Sequence, residues 1–125
     1  MENKRVEKEA RETTDGAVIL IGDDSLGVGD RELGKMLMKS FLNTVFDGEP
    51  RPAKLIFINN GVKLTTQGSE VLDAIKALEE KGVDISSCGT CLDYYGLRHK
   101  LKVGRITKMP DTVNSLLCAS KVIRI

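Results

Sequence analysis

The chain has 125 residues, 41% of them hydrophobic, with 19 basic and 18 acidic side chains for a net charge of +1. That length suits one domain with an ordinary hydrophobic core, and the charge balance excludes the broad basic footprint of a nucleic-acid binder. No apolar run approaches the roughly 20 residues of a membrane span, and the N-terminus lacks a signal-peptide apolar core, so the expectation is a cytoplasmic protein with neither nucleic acid nor membrane as partner.

Residues 1–15, MENKRVEKEARETTD, are mostly charged and show no apolar face. They read as a flexible arm or linker remnant, with a short exposed helix as the competing reading. Residues 16–125 then form the expected domain. Ala17 to Ile21, AVILI, is an unbroken apolar run of strand length, as found in strands buried on both faces. GDDSLGVGD follows as a loop. Asp30 is the expected N-cap of a helix to about Phe46, with Leu33, Met36, Leu37, Phe41 and Val45 as its apolar stripe and Gly48 closing it. Lys54 to Ile58 is the second strand, and NNGVKL is its exit loop. A second helix begins near Ser69, buries Val71, Leu72, Ile75 and Leu78, and ends at Gly82. Val83 to Ser87 is the third strand and delivers the chain to Cys88-Gly89-Thr90-Cys91. Leu92 to Leu101 reads as a short helix breaking near Gly96. A weak strand is expected at Arg105 to Thr107, a last helix opens at Pro110 and Asp111, and Lys121 to Ile125 is the final strand. This alternation predicts an α/β fold: a flavodoxin-like three-layer sandwich around a mostly parallel sheet of about five strands.

In such sheets the functional crevice lies outside the carboxyl ends of the strands. Three loops leave those ends: GDDSLGVGD, NNGVKL and SCGTCLD. The glycines of the first suggest phosphate binding, but it matches neither phosphate-loop pattern, and Asp23, Asp24 and Asp30 would repel phosphate. The acidic pair also suits a phosphoacceptor receiver. Asn59-Asn60 stands where that reading needs an aspartate, so it fails. A tight turn plus helix cap remains. In the second loop Asn60-Gly61 is a strong turn dipeptide. Lys63 is either solvated or lines a pocket with Asn59, Asn60 and Gly61.

The third loop carries Cys88 and Cys91, two of the three cysteines. A structural zinc site wants four ligands. Cys118 and His99 could complete a set, but Cys118 sits beside Leu116 and Leu117 and reads as core, while His99 reads as exposed. No metal and no cofactor is expected. Packing alone explains Gly89 and Thr90 poorly. Thiol chemistry explains the placement: a free cysteine is only about 3% thiolate at pH 7, and the free N–H groups of a helix start raise that fraction. Cys88, at the strand end, is expected to face the crevice, and Cys91, in the helix, to be less accessible. Asp93 would oppose the activation. Spacing does not separate a dithiol–disulfide oxidoreductase from a persulfide carrier.

The stretches GDRELGKMLMKSFL (29–42), FINNGVKLTTQGSEVLDAIKALEEKGVDISSCGTCLDYYGL (57–97) and SKVIRI resemble the DsrE/DsrF-like family, most closely the C-terminal domain of YedF-type, sulfurtransferase-like selenium-metabolism proteins. The resemblance implies a flavodoxin-like fold, homo-oligomeric assembly and sulfur relay through a persulfide in the CGTC loop. It matches Cys88 to the usual acceptor position and makes Cys91 a resolving or alternative thiol. It also implies sulfur-donor and sulfur-acceptor proteins as partners. In the family a SirA/TusA-like domain with a Cys-Pro motif often precedes this one, and these 125 residues contain no such motif. A partner-binding or regulatory module of the same fold is the non-catalytic alternative.

Overall fold

A computed structural model of the chain describes residues 16–125; the arm expected at 1–15 lies outside the described residues. The elements follow the expected alternation. β1 is Ala17–Ile21, α1 Arg31–Asp47, β2 Lys54–Phe57, α2 Leu72–Glu80, β3 Asp84–Cys88, α3 Gly89–Tyr94, β4 Arg105–Thr107, α4 Met109–Cys118 and β5 Lys121–Arg124. Short 3-10 turns occupy Asn59–Leu64 and Arg98–Lys100.

The five strands lie in the order β4-β3-β2-β1-β5, and every pairing is parallel. The first three crossovers step in one direction, so right-handed connections put α1, α2 and α3 on one face. The last crossover runs back past β1 and puts α4 on the other. The sequence carries this division as alternation. Ile19, Ile21, Leu55, Phe57 and Ile85 meet Met38 and Leu42 of α1, Ile75 and Leu78 of α2, and Leu92 of α3 in one core. Each such side chain contributes roughly 1.5–3 kcal/mol on burial. The intervening positions face α4, where the Lys54 ammonium donates to Ser115 Oγ at 2.6 Å. The result is the expected three-layer, flavodoxin-like α/β arrangement. Among the described residues no helix is long and apolar enough to cross a membrane.

Several boundaries match the sequence signals. Asp30 caps α1 by accepting from the Leu33 N–H at 2.8 Å. Gly82 has φ +99°, the left-handed conformation that suits a residue just past a helix end. The third helix differs from expectation. It starts at Gly89 rather than Leu92 and ends at Tyr94, so the CGTC stretch is its first turn and not the loop before it.

The face of α1 also differs. Its buried residues are Gly34, Met38 and Leu42, with Phe41 and Val45 packed against the core. Leu33, Met36 and Leu37 are 52%, 68% and 44% exposed. The reason is the loop after β1. The Leu26 N–H donates to the Gly34 carbonyl at 2.9 Å, and a Cβ on Gly34 would lie 1.8 Å from Ser25 Oγ. The loop can seat only on a glycine, and that fixes the rotation of the helix. Cys118, expected in the core, is half-buried and lies outside the core cluster. Only Thr112 and Ser115 of α4 are buried, so the helix touches the sheet with small polar groups, and Cys118 is not on that line.

Candidate functional site

β3 ends on Cys88, which is also the N-cap residue of α3. Its side chain is 4% exposed. Cys91, one turn on, is half-buried and packs against the edge of the core. The accessibility expected of the two thiols is therefore reversed. A strand residue followed directly by a helix stays within the sheet layer, whereas the third helical residue rotates toward the loops.

The Cys91 sulfur accepts the Asn59 backbone N–H at 3.0 Å. Asn59 can offer that donor because its φ is +51°, the only non-glycine left-handed residue among those described; asparagine tolerates this region better than most residues. Tyr95 fixes the same asparagine from above, its hydroxyl donating to Asn59 Oδ1 at 3.0 Å. Cys91 and Tyr95 stand four apart on one helix face, and that spacing was the signal for Tyr95 that the sequence reading missed. Burial pushes the Cys91 thiol up, the neighbouring Cys88 thiol pushes it further, and the Asn59 N–H pulls it down.

Asp93 does not act as a free negative charge beside the thiols. Arg98 forks onto it, Nε at 2.7 Å and Nη2 at 3.0 Å, and the guanidinium holds its carboxyl below the usual carboxylate range. Arg98 also lies over the first turn of α3, since a Cβ on Gly89 would sit 3.0 Å from its Nη2. Gly89 is buried and Thr90 is exposed.

The other expected pocket residues divide. Asn60 turns away from the thiols; its amide donates to Asp23 Oδ1 at 2.7 Å and Asp24 Oδ1 at 2.8 Å. Arg31 binds the same two carboxylates, reaching Asp23 at 3.0 Å and Asp24 closer still. Its guanidinium holds the Asp23 carboxyl well below the usual range. This cluster joins the first two loops and was not legible as such, because Arg31 reads as an ordinary helix-start residue. Gly61 is buried against the end of β1. Lys63 is exposed, its ammonium 4.7 Å from the Tyr95 ring centroid. Beneath the site, Thr65 Oγ1 and Ser87 Oγ form a buried hydroxyl pair at 2.8 Å. Among the described residues no group of three His, Cys, Asp or Glu side chains is placed to hold a metal ion.

The three loops at the carboxyl edge thus meet in one chain of contacts, from the acidic pair through Asn60 and Asn59 to Cys91. Solved structures share this fold. The ychN protein of E. coli superposes with TM-score 0.68 at 16% identity, over 88% of this chain and 98% of that one. MTH1491 of Methanobacterium thermoautotrophicum, a protein of unknown function, gives 0.64 at 19%, over 87% and 97%. BT1422 of Bacteroides thetaiotaomicron, also of unknown function, gives 0.59 at 13%, over 89% and 96%. No family model and no curated protein matches the chain. The shared architecture is the α/β sandwich; at these identities it carries no site residue across.

Proposed function

We propose that this chain is a DsrE-like sulfur carrier that holds a persulfide on Cys91, with Cys88 as the neighbouring thiol that releases it. One observation carries the reading: a half-buried sulfur receives a fixed backbone N–H, and a second thiol stands at the N-cap of the same helix turn. Cys91 thiolate would attack the outer sulfur of a donor R–S–SH. The donor S–S bond breaks, R–S⁻ leaves and takes up the persulfide proton, and Cys91–S–S⁻ remains. The persulfide anion is a stronger acceptor than a thiol, and the Asn59 N–H already points at this sulfur. The resemblance favoured Cys88 as the acceptor; burial favours Cys91.

Intact mass after incubation with a sulfane-sulfur donor tests this. The expected product carries a single added sulfur, removed by reductant. Because the Cys91 thiol is raised, its thiolate fraction at pH 7 is below the ~3% of a free cysteine and grows with pH, so alkylation of Cys91 by neutral iodoacetamide should quicken between pH 7 and pH 8. A chain that gains no sulfur at either pH overturns the reading. The closeness of the two thiols also favours a dithiol–disulfide oxidoreductase, which would reduce a small disulfide catalytically without retaining sulfur.

Donor and acceptor would be proteins, with a SirA/TusA-like domain as the donor type, and the carrier itself a homo-oligomer. The support for assembly is the outer face of α4. Met109, Val113 and Leu117 recur at helical spacing, all exposed, an apolar stripe that no described residue covers. Light scattering should give a multiple of 13.7 kDa, and the pair Val113→Glu with Leu117→Glu should lower it to the monomer. A monomeric wild type at working concentration refutes the assembly.

A further inference from the structure

Beside the thiols the molecule has a second feature, a cavity of about 500 Å³ between α1, the 59–64 turn and the exit of α3. That volume suits a small organic molecule. Its apolar wall includes Met38, Leu64 and Val71, and its hydroxyl and amide groups include Thr66 and Ser69. Three ammonium groups line it: Lys35, Lys39 and Lys63. None of the three forms an ion pair among the described residues. Two carboxylates also line it, Asp24 and Glu70, but Asp24 is already held by Arg31 and Asn60. The balance is cationic: with Asp24 held elsewhere, only Glu70 offsets the three ammonium groups among the described residues of the lining.

The cavity shares a wall with the thiol site. Tyr95 lines it, its ring lies under the Lys63 ammonium, and its hydroxyl holds the asparagine whose N–H meets Cys91. A ligand seated on the lysines therefore touches the residue that orients the sulfur's hydrogen-bond donor. The cavity at the opposite end of the sheet, lined by Phe41, Val45 and Pro50, offers an apolar surface with no such link.

We propose that this cavity binds the anionic body of a low-molecular-weight thiol bearing carboxylates, so that its persulfide form can load Cys91 directly without a donor protein. The inference rests on the sulfur-carrier reading for its chemistry, but not for its binding. Two carboxylates would meet the lysines, and the organic body would lie against half-buried Tyr95 and Leu97. The transfer is the one already written, with R–SH retained in the cavity until it dissociates.

Binding and transfer are tested separately. S-methylglutathione, which has the carboxylates and no reactive sulfur, is titrated calorimetrically into the full chain. Wild type should bind it, and Lys35→Gln combined with Lys39→Gln should weaken binding by about tenfold or more, the scale of two partly desolvated charge contacts. Lys63→Gln alone gives an independent readout if the pair disturbs α1. Glutathione persulfide is then compared with its diethyl ester as a sulfur donor. The wild type should load faster from the acid, and the lysine variants should lose the difference. No binding by wild type, or binding indifferent to all three lysines, overturns the cavity assignment, whatever the thiols do. Binding as expected with no loading from either donor leaves the cavity standing and removes the sulfur chemistry.

Discussion

Cys91→Ser is expected to abolish retention of sulfane sulfur, whereas Cys88→Ser should prolong it. The wild-type chain, loaded and passed through a desalting column, should lose its added sulfur slowly as the Cys88 thiol displaces it. The displacement is balanced: Cys88–S⁻ attacks the inner sulfur, the Cys91–S–SH bond breaks, hydrosulfide leaves, and a Cys88–Cys91 disulfide forms. Without Cys88 this exit is closed. Without Cys91 the thiol left at the site is Cys88, 4% exposed and met by no backbone N–H among the described residues, and a donor molecule has little access. The expected loss in Cys91→Ser is at least about a hundredfold in occupancy, the scale on which a nucleophile's removal is felt. Intact mass of the three proteins over time decides it. The opposite pattern, with sulfur kept by Cys91→Ser and lost by Cys88→Ser, would return the holding role to Cys88 and require β3's end to open. Cys118→Ser serves as the control and should behave as wild type, since that thiol is on α4 and donates to Asn114 Oδ1.

The second large effect is structural and comes from one glycine. A Cβ on Gly61 would lie 2.3 Å from the Ile21 carbonyl oxygen and 3.3 Å from the Asp23 nitrogen. Both are backbone atoms, and that carbonyl is occupied in accepting the Ile58 N–H at 3.0 Å. Neither side has a rotamer to change, so Gly61→Ala must lift the 59–64 turn off the end of β1. We expect a loss of about 2–4 kcal/mol, the range of an overpacked site that cannot relax. Gly68→Ala gives the contrast. Its φ is +97° with no atom within 4 Å of a Cβ, so it carries only the left-handed backbone penalty of about 1–2 kcal/mol. Urea unfolding of both variants separates them. The same displacement moves Asn59 away from Cys91, so Gly61→Ala should also shorten persulfide lifetime in the fraction still folded. Equal midpoints for the two alanines would mean that the turn is softer than its packing indicates.

The strands were legible because their runs are apolar on both faces, as AVILI and KLIFI are, and their ends fall at Asp, Asn and Gly. The face of α1 was not. Hydrophobic spacing allowed Leu33, Met36 and Leu37 as the inner stripe, and nothing in a helix-period argument announces that a glycine, Gly34, is the contact point. That requires knowing that Ser25 and Leu26 fold back onto it. The site shows the same division. CGTC at a strand exit could be read from residue type and position. Which sulfur is buried could not, because it depends on whether the helix starts at Gly89 or Leu92, a shift of one turn. Asp23, Asp24, Arg31 and Asn60 come from different elements, and their meeting is a product of the β1–β2 pairing.

That pairing has a neighbour with a different consequence. β1 is flanked on one side by β2, which follows it closely, and on the other by β5. Where β5 joins, the Ser120 hydroxyl donates to the Gly16 carbonyl across 104 positions of sequence. Closing so long a loop costs chain entropy before any contact returns it, and high sequence separation slows folding. Strands β1 to β4 can assemble by short crossovers as they are synthesised, but one margin of β1 stays open until β5 arrives. In that interval its amides and carbonyls are a free template for another strand. The molecule is most exposed to misassociation at the open margin of β1, and the residues that end that exposure are KVIR.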